Sequence, residues 1–231
     1  MNKEETICAI ATGRGGALGI IRVSGPNAII NTDKIFIPAD KTLKLLSERK
    51  AYTISYGHIT NKDGEIIDEV LVSLFRAPHS YTGENCTEIS CHGSEYILKQ
   101  IMQMLIDNGC RAANPGEFTQ RAFLNGRIDL SQAESVIDVI NSKNEFALKS
   151  SLSQLSGSVS EKIKEIRGTV LHEIAFIESA LDDPEHISLD GYPEKLSGIV
   201  SDVIKKIDKL LANSDNGKML KEGISTVIVG K

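Results

Sequence analysis

The stretch Asn114-Pro115-Gly116-Glu117-Phe118-Thr119-Gln120-Arg121-Ala122-Phe123-Leu124-Asn125-Gly126-Arg127-Ile128-Asp129-Leu130-Ser131-Gln132-Ala133-Glu134 divides two kinds of sequence. Asn114 can cap a helix, Pro115 suits its first position and Glu117 can complete a capping box. Gly126 stops that short helix. Ser131-Gln132-Ala133-Glu134 repeats the capping-box pattern, so a second helix follows at once. Most polar residues of the stretch therefore have structural tasks. Arg127 sits in the tight connection with no capping role, which leaves it as a ligand contact or as an ordinary surface arginine.

Upstream of Asn114 the pattern is one of strands and turns. Alternation and turn signals predict strands over residues 7–11, 19–23, 52–59, 68–75 and 86–91. Between the third and fourth, Asn61-Lys62-Asp63-Gly64 suits a hairpin turn, because its Asp-Gly pair tolerates positive φ. A helix is predicted over 95–107, where Ile97, Leu98, Ile101 and Leu105 share a face, Ser94 can cap the start and Gly109 can end it. Together these elements predict an α+β domain.

Downstream, helix signals become dense. Leu148, Leu152, Leu155, Val159, Ile163, Ile166, Val170, Ile174, Ile177 and Leu181 advance in steps of about 3.7 residues, the period of a nearly straight helix. One helix of roughly 50 Å is predicted at 1.5 Å per residue, with Gly157 and Gly168 as candidate bends and Asp182-Asp183-Pro184 as its stop. A further helix over 193–211 carries Leu196, Ile199, Val200, Val203, Ile207 and Leu210 on its inner face. Such stripes must be covered by one another or by further chain, and uncovered they make a sticky surface. The chain closes on Ile224-Ser225-Thr226-Val227-Ile228-Val229-Gly230-Lys231, an apolar strand running into Gly-Lys that reads as the cut first strand of a new domain.

Composition bounds the function classes. The 231 residues, 41% hydrophobic and 25% charged, belong to a folded chain of one to two domains. Net charge is −5, and neither half, divided after Phe118, is basic. A free-standing nucleic-acid binder is therefore not indicated, although RNA presented by a partner is compatible. Glu4, Glu5 and the lack of a long apolar run oppose a signal peptide and a membrane span. Cys8, Cys86, Cys91 and Cys110 are too scattered for a disulfide framework, and a cytoplasmic location is expected.

Three constellations remain for chemistry. Gly13-Arg14-Gly15-Gly16-Ala17-Leu18-Gly19 is a glycine-rich turn before a strand, without the full pattern of a phosphate cradle. Arg22 follows in that strand, sharing a face with Ile20, and an arginine there marks an edge or a ligand-facing position. In Cys86-Thr87-Glu88-Ile89-Ser90-Cys91-His92, a period of two puts Cys86, Glu88, Ser90 and His92 on one face and Thr87, Ile89 and Cys91 on the other. That separation of the cysteines opposes a metal clamp. Glu88 can accept two parallel hydrogen bonds from the amino-amidine edge of a heterocycle, or belong to a solvated sheet face. His58, His79, His92, His172 and His186 are scattered, and spacing yields no nucleophile and base. From the residues alone the reading ends at a small-molecule-binding α+β domain joined to helices.

Taken in order, Thr6-Ile7-Cys8-Ala9-Ile10-Ala11-Thr12, Gly19-Ile20-Ile21-Arg22-Val23-Ser24-Gly25, the polar stretch 80–93 and the block 115–134 resemble the tRNA modification GTPase family MnmE, also called TrmE. The resemblance spans essentially the whole chain, and the block 115–134 is its most specific part. The resemblance implies an α+β domain over residues 1–117, similar to folate-binding aminomethyltransferases, that binds 5-formyltetrahydrofolate or another tetrahydrofolate derivative and forms a homodimer. It implies an incomplete all-α helical domain over 118–222. Residues 223–231 then start a GTPase domain, with Gly230 as the first P-loop glycine and Lys231 next to it as nucleotide-binding positions. Loop 12–14 lacks the proline pair many members carry, and Asp182-Asp183-Pro184 departs from their usual pattern after the long helix.

Family members work with the FAD-dependent partner MnmG to place a carboxymethylaminomethyl or aminomethyl group on carbon 5 of the wobble uridine of certain tRNAs. Their G domain hydrolyses GTP with Mg²⁺ and is activated by K⁺. Without a complete P-loop, these 231 residues are expected to be inactive on GTP and to hold no catalytic or metal-ligating residue. By motif match the folate contacts fall on Arg22, Glu88 and Arg127. Glu88 suits the 2-amino and N3–H edge of a pterin, and the two arginines suit acceptor or anionic groups. Two rival expectations stand beside this one. The first is a dimerisation and docking scaffold without folate binding. The second is a stand-alone one-carbon transferase resembling the glycine-cleavage T protein, against which the helical tail and the P-loop start both speak.

Overall fold

A computed structural model describes residues 4–13, 15–40, 42, 45–222, 227 and 229–230. The chain divides into two units, residues 1–128 and 129–231. In the first, strands β1 (Thr6–Ile10), β2 (Leu18–Ser24), β3 (Phe36–Pro38), β4 (Thr53–Thr60), β5 (Ile66–Phe75), β6 (Cys86–His92) and β7 (Cys110–Ala112) form one sheet in the order β3-β4-β5-β6-β2-β1-β7. Among the described residues only the β1/β7 pair is parallel. The five predicted strands are present, each extended by a residue or two at one or both ends or shifted by one. At the β4–β5 hairpin Asn61 Oδ1 accepts from the amides of Asp63 and Glu65 and Gly64 has φ 81°, which is the turn expected there.

Two helices cover one face of the sheet. Helix α1 (Ala28–Asp33) packs on β2, β3 and β6, and α2 (Glu95–Asp107) on β1, β2, β5, β6 and β7. Between them lies the core, with Ile21, Val23, Val72, Leu74, Ile89, Ile101 and Leu105 fully or almost fully buried. The register explains which residues enter it. Val23, Thr87 and Leu74 lie opposite one another across β2, β6 and β5, as do Ile21, Ile89 and Val72, and directly opposed residues share a face. Thr87 is tolerated there because its hydroxyl bonds Thr32 of α1 at 2.7 Å, satisfying both polar groups. Strands β3 and β7 and helix α1 were not expected. They are three, three and six residues long, too short for a period to show, and neighbouring elements supply the partners that hold them.

Helix α3 (Glu117–Leu124) belongs to the first unit, so the division falls after Ile128 and not at the expected 117/118. The cause is Arg121. It is only 3% exposed and donates to the Glu5 carbonyl at 2.9 Å, to Glu84 at 3.2 Å and to Glu117 at 3.3 Å. Glu117 reaches back to the amide of Asn114 at 2.8 Å as a capping-box glutamate does, but the helix itself starts only after Gly116.

The second unit holds α4 (Leu130–Ile140), α5 (Glu145–Leu155), α6 (Ser158–Asp182) and α7 (Tyr192–Glu222). Three expectations are corrected here. The capping box is Asp129 with Gln132, two residues earlier than Ser131 with Glu134, because Asp129 already provides an acceptor for the Gln132 amide. The single 50 Å helix is two helices. Gly157 adopts φ 87° between them, and the Leu155 carbonyl released by the break accepts from Gln132 Nε2 at 2.8 Å. Gly168 lies inside α6, so it does not end a helix. The apolar stripe is also only partly inward. Ile166 and Ile177 are half-buried while Ile163, Val170, Ile174 and Leu181 are exposed. The buried seam instead includes Glu173 and Ala180, since the Tyr192 hydroxyl donates to Glu173 at 2.9 Å and the Tyr192 ring lies 4.8 Å from that of Phe176.

Helix α7 outruns the predicted 193–211, and of its expected inner face Leu196, Ile199, Val203 and Leu210 are half-buried, with Val200 and Ile207 exposed. Much of the strand expected over 224–229, and Lys231, lie outside the described residues; Gly230 is described and is in no regular element. No helix among the described residues is long and apolar enough to cross a membrane.

Candidate functional site

On the face of the sheet opposite α1 and α2, burial falls along β2 from Ser24 to Leu18. At one end Ser24, opposite Cys86 in the β2/β6 register, is buried because its hydroxyl bonds Thr82 and Glu84, each at 2.7 Å. At the other end lie exposed Leu18, Tyr56 and Leu71. Arg22 and Glu88 sit at the boundary, directly opposed in register, each side chain 26% exposed. Arg22 Nε donates to Glu88 Oε1 at 2.8 Å, and Nη2 lies 2.8 Å from the same oxygen. The guanidinium also stands 5.2 Å from the Tyr81 ring centre and 5.5 Å from that of Phe118, within cation–π range of both.

Tyr81 links this pair to a cavity of about 500 Å³ lined by Tyr52, Phe75, Pro78, His79, Ser80, Tyr81 and Arg127, a size suited to a small organic ligand. Arg127 reaches it from a rigid base. After α3, Gly126 has φ 70°, its amide bonds the Phe123 carbonyl at 3.0 Å, and the Arg127 amide bonds Ala122 at 2.9 Å. That is a Schellman termination, and it requires the glycine that sequence reading took as a stop. The loop carrying Tyr81 is clipped to α3 by the Tyr81 hydroxyl and Thr119 at 2.8 Å, and by Asn125 Nδ2 donating to the Thr82 carbonyl at 2.8 Å.

Arg22 and Glu88 are thus in direct contact, and Arg127 joins them through Tyr81, which borders both. Sequence reasoning passed over Tyr81, Phe118, Tyr52 and Phe75. The one available signal was an aromatic residue inside the polar, turn-rich stretch 80–93.

Titration separates the groups further. Burial pushes the Cys86 thiol up to about 12 and the Cys91 thiol up to about 11, so neither is a ready nucleophile. The expected opposition of faces holds for both cysteines, yet both are buried, Cys86 at the end of its face where Ser24 is tied to Thr82 and Glu84. His92, at the exposed end of β6, donates through Nδ1 to Asp68 Oδ1 at 2.7 Å, and its amide donates to Oδ2 of the same carboxylate at 2.8 Å. The Asp68 carboxylate raises the His92 pKa above the ordinary histidine value.

A raised value means that the charged pair stabilises the fold fully below about pH 6.5 and fades as pH rises through the raised pKa. In an NMR titration His92 is expected to change charge above pH 6.5, and Asp68→Asn to lower that midpoint. An unshifted His92 in the parent chain would show that the pair is open in solution.

Two family models match the chain. GTP-binding protein TrmE N-terminus covers residues 6–127, and the MnmE helical domain covers 130–226. The chain belongs to the MnmE (TrmE) family. Relatives named tRNA modification GTPase MnmE include those of Lachnoclostridium phytofermentans, 52% identical over 230 residues, and Bacteroides thetaiotaomicron, 50% identical over 228. A third, from Carboxydothermus hydrogenoformans, is 47% identical over 230 residues. Each alignment takes in 99% of this chain and 49–50% of the relative, so the chain spans about half the length of the curated relatives it matches. The boundary between the two MnmE models, 127 to 130, coincides with the structural division after Ile128. The mixed sheet with its helices and the helical unit after it are the α+β and all-α parts expected of an MnmE chain.

Proposed function

We propose that this chain is the folate-binding and dimerising part of a tRNA modification GTPase, followed by part of its helical domain. The whole protein, acting in the cytoplasm with an FAD-dependent partner, adds a carboxymethylaminomethyl or aminomethyl group at carbon 5 of the wobble uridine of tRNA. The observation that carries the folate reading is the Arg22–Glu88 pair, whose guanidinium stands 5.2 Å from the ring of Tyr81, a residue that with Arg127 lines an aromatic-rich cavity. The donor set fits a reduced folate: a carboxylate for the N–H groups of a pterin, two arginines for its oxo group and anionic tail, and flat apolar rings between. When bound, the folate supplies the one-carbon unit. The residues of this chain bind and orient it, and none of them is assigned a proton transfer. Dimerisation is supported by the exposed apolar residues Leu18, Ile54, Tyr56 and Leu71 on the side of the sheet opposite α1 and α2.

GTP hydrolysis with Mg²⁺ and K⁺ belongs to sequence other than these 231 residues, which contain no G-x-x-x-x-G-K-[ST] pattern. The scaffold reading draws on one observation, that Arg22 and Glu88 already neutralise each other. Calorimetric titration with 5-formyltetrahydrofolate, and with GTP in parallel, decides between the two. Folate binding without GTP binding is the expected result. A folded dimer without folate affinity would establish the scaffold.

A further inference from the structure

The Arg22–Glu88 pair has a polarity that neither residue has alone. Both engaged nitrogens of Arg22, Nε and Nη2, converge on one carboxylate oxygen, Oε1. Among the described residues no hydrogen bond reaches Glu88 Oε2. A guanidinium carries five N–H donors, so Arg22 keeps donors beyond those turned to Glu88. The two rings of Tyr81 and Phe118 at 5.2 and 5.5 Å hold its plane. The pair therefore presents donors beside a single acceptor. A grip by both Glu88 oxygens on the 2-amino and N3–H groups of a pterin would need Oε1, which Arg22 already occupies.

A donor next to an acceptor complements a cyclic amide, whose carbonyl oxygen accepts and whose adjacent N–H donates. We infer that the juxtaposition of Arg22 N–H groups and Glu88 Oε2 reads the lactam edge of the pterin, Arg22 donating to the C4 oxo group and Oε2 accepting from N3–H. This rests on the folate reading and specifies which edge of the ring faces the sheet. It makes the pair the determinant that separates 4-oxo from 4-amino pteridines. In a 4-amino ring both polarities reverse: the C4 substituent donates toward Arg22, and N3 turns a lone pair on Glu88. Closed sites reject such mismatches by several orders of magnitude. Here each side chain is 26% exposed, and water softens the penalty to about 10-fold or somewhat more.

The test is calorimetric titration of the 231-residue chain with 5-formyltetrahydrofolate and with its 4-amino-4-deoxy counterpart, repeated on Glu88→Gln. The parent chain is expected to bind the 4-oxo compound at least about 10-fold more tightly. In Glu88→Gln the ratio is expected to shrink, because a glutamine amide can turn its N–H₂ toward the N3 lone pair. Equal affinities in the parent chain, or a ratio unchanged in Glu88→Gln, would overturn the lactam assignment and leave folate binding standing. Failure of both compounds to bind would remove the folate reading and this inference with it.

Discussion

Arg121→Met is expected to lower the stability of the first unit by about 3–5 kcal/mol, the usual cost of removing one partner from a buried ion cluster. Arg121 is 3% exposed and lies between Glu84 and Glu117, which are 15% and 2% exposed. Methionine fills much of the volume but leaves Glu84 with the Ser24 hydroxyl and Glu117 with Arg111 as their remaining side-chain partners. Urea unfolding followed by circular dichroism measures the loss. Hydrogen exchange at β2 amides assigns it to this unit, which need not unfold in one step with the helices. A loss under about 1 kcal/mol would mean that water reaches the carboxylates and screens them. The same cluster sets the acid limit. Arg111 foremost, aided by the Asn114 amide and Arg121, holds the Glu117 carboxyl down at about 2. Because that value is depressed, its contribution is complete above about pH 4.5 and is lost as pH falls through about 2.

Glu88→Ala is expected to weaken 5-formyltetrahydrofolate binding by about 100-fold with the fold intact. Losing a hydrogen bond to a charged group costs about 1.5–3 kcal/mol, or about 10- to 100-fold in affinity. The upper end applies because Arg22 also loses the carboxylate that aims it. Stability changes little, since the pair is partly exposed and the Tyr81 and Phe118 rings still flank Arg22. Calorimetry on the purified variant, with circular dichroism as the folding check, measures both quantities. Unchanged affinity would remove Glu88 from the site.

The boundary of what was legible follows the range of the forces involved. Alternation along a strand is a property of the backbone, so the shared face of Cys86, Glu88, Ser90 and His92, the hairpin at Asn61 to Gly64 and the capped span of α2 could be read from neighbouring residues alone. Gly126 as a helix stop is equally local, because only a residue at ease with positive φ closes a Schellman turn. Arg22, Glu88 and Arg127 were singled out because no local task accounted for them, and family resemblance named the same three. Local signals failed where two acceptable choices competed. Asp129 and Ser131 can both cap a helix, and the Gln132 side chain completes the box with Asp129; Gly157 can sit in a helix or break one, and there the same side chain, 23 residues from Leu155, holds the carbonyl that the break releases.

By itself, then, the sequence determined the α+β and all-α division, most of the strands, and the shared face of Cys86, Glu88, Ser90 and His92. Tertiary structure decided that Arg22 meets Glu88, 66 residues away in the chain, and that both of its fork nitrogens fall on one oxygen. It also decided that Tyr81 and Phe118 flank the guanidinium and that Tyr81 opens onto the cavity of Arg127. The physical reason is that a period specifies which way a side chain points but not what stands opposite. Strand register and the docking of α3 through Arg121 supply that opposite partner, and both depend on contacts between residues distant in the chain.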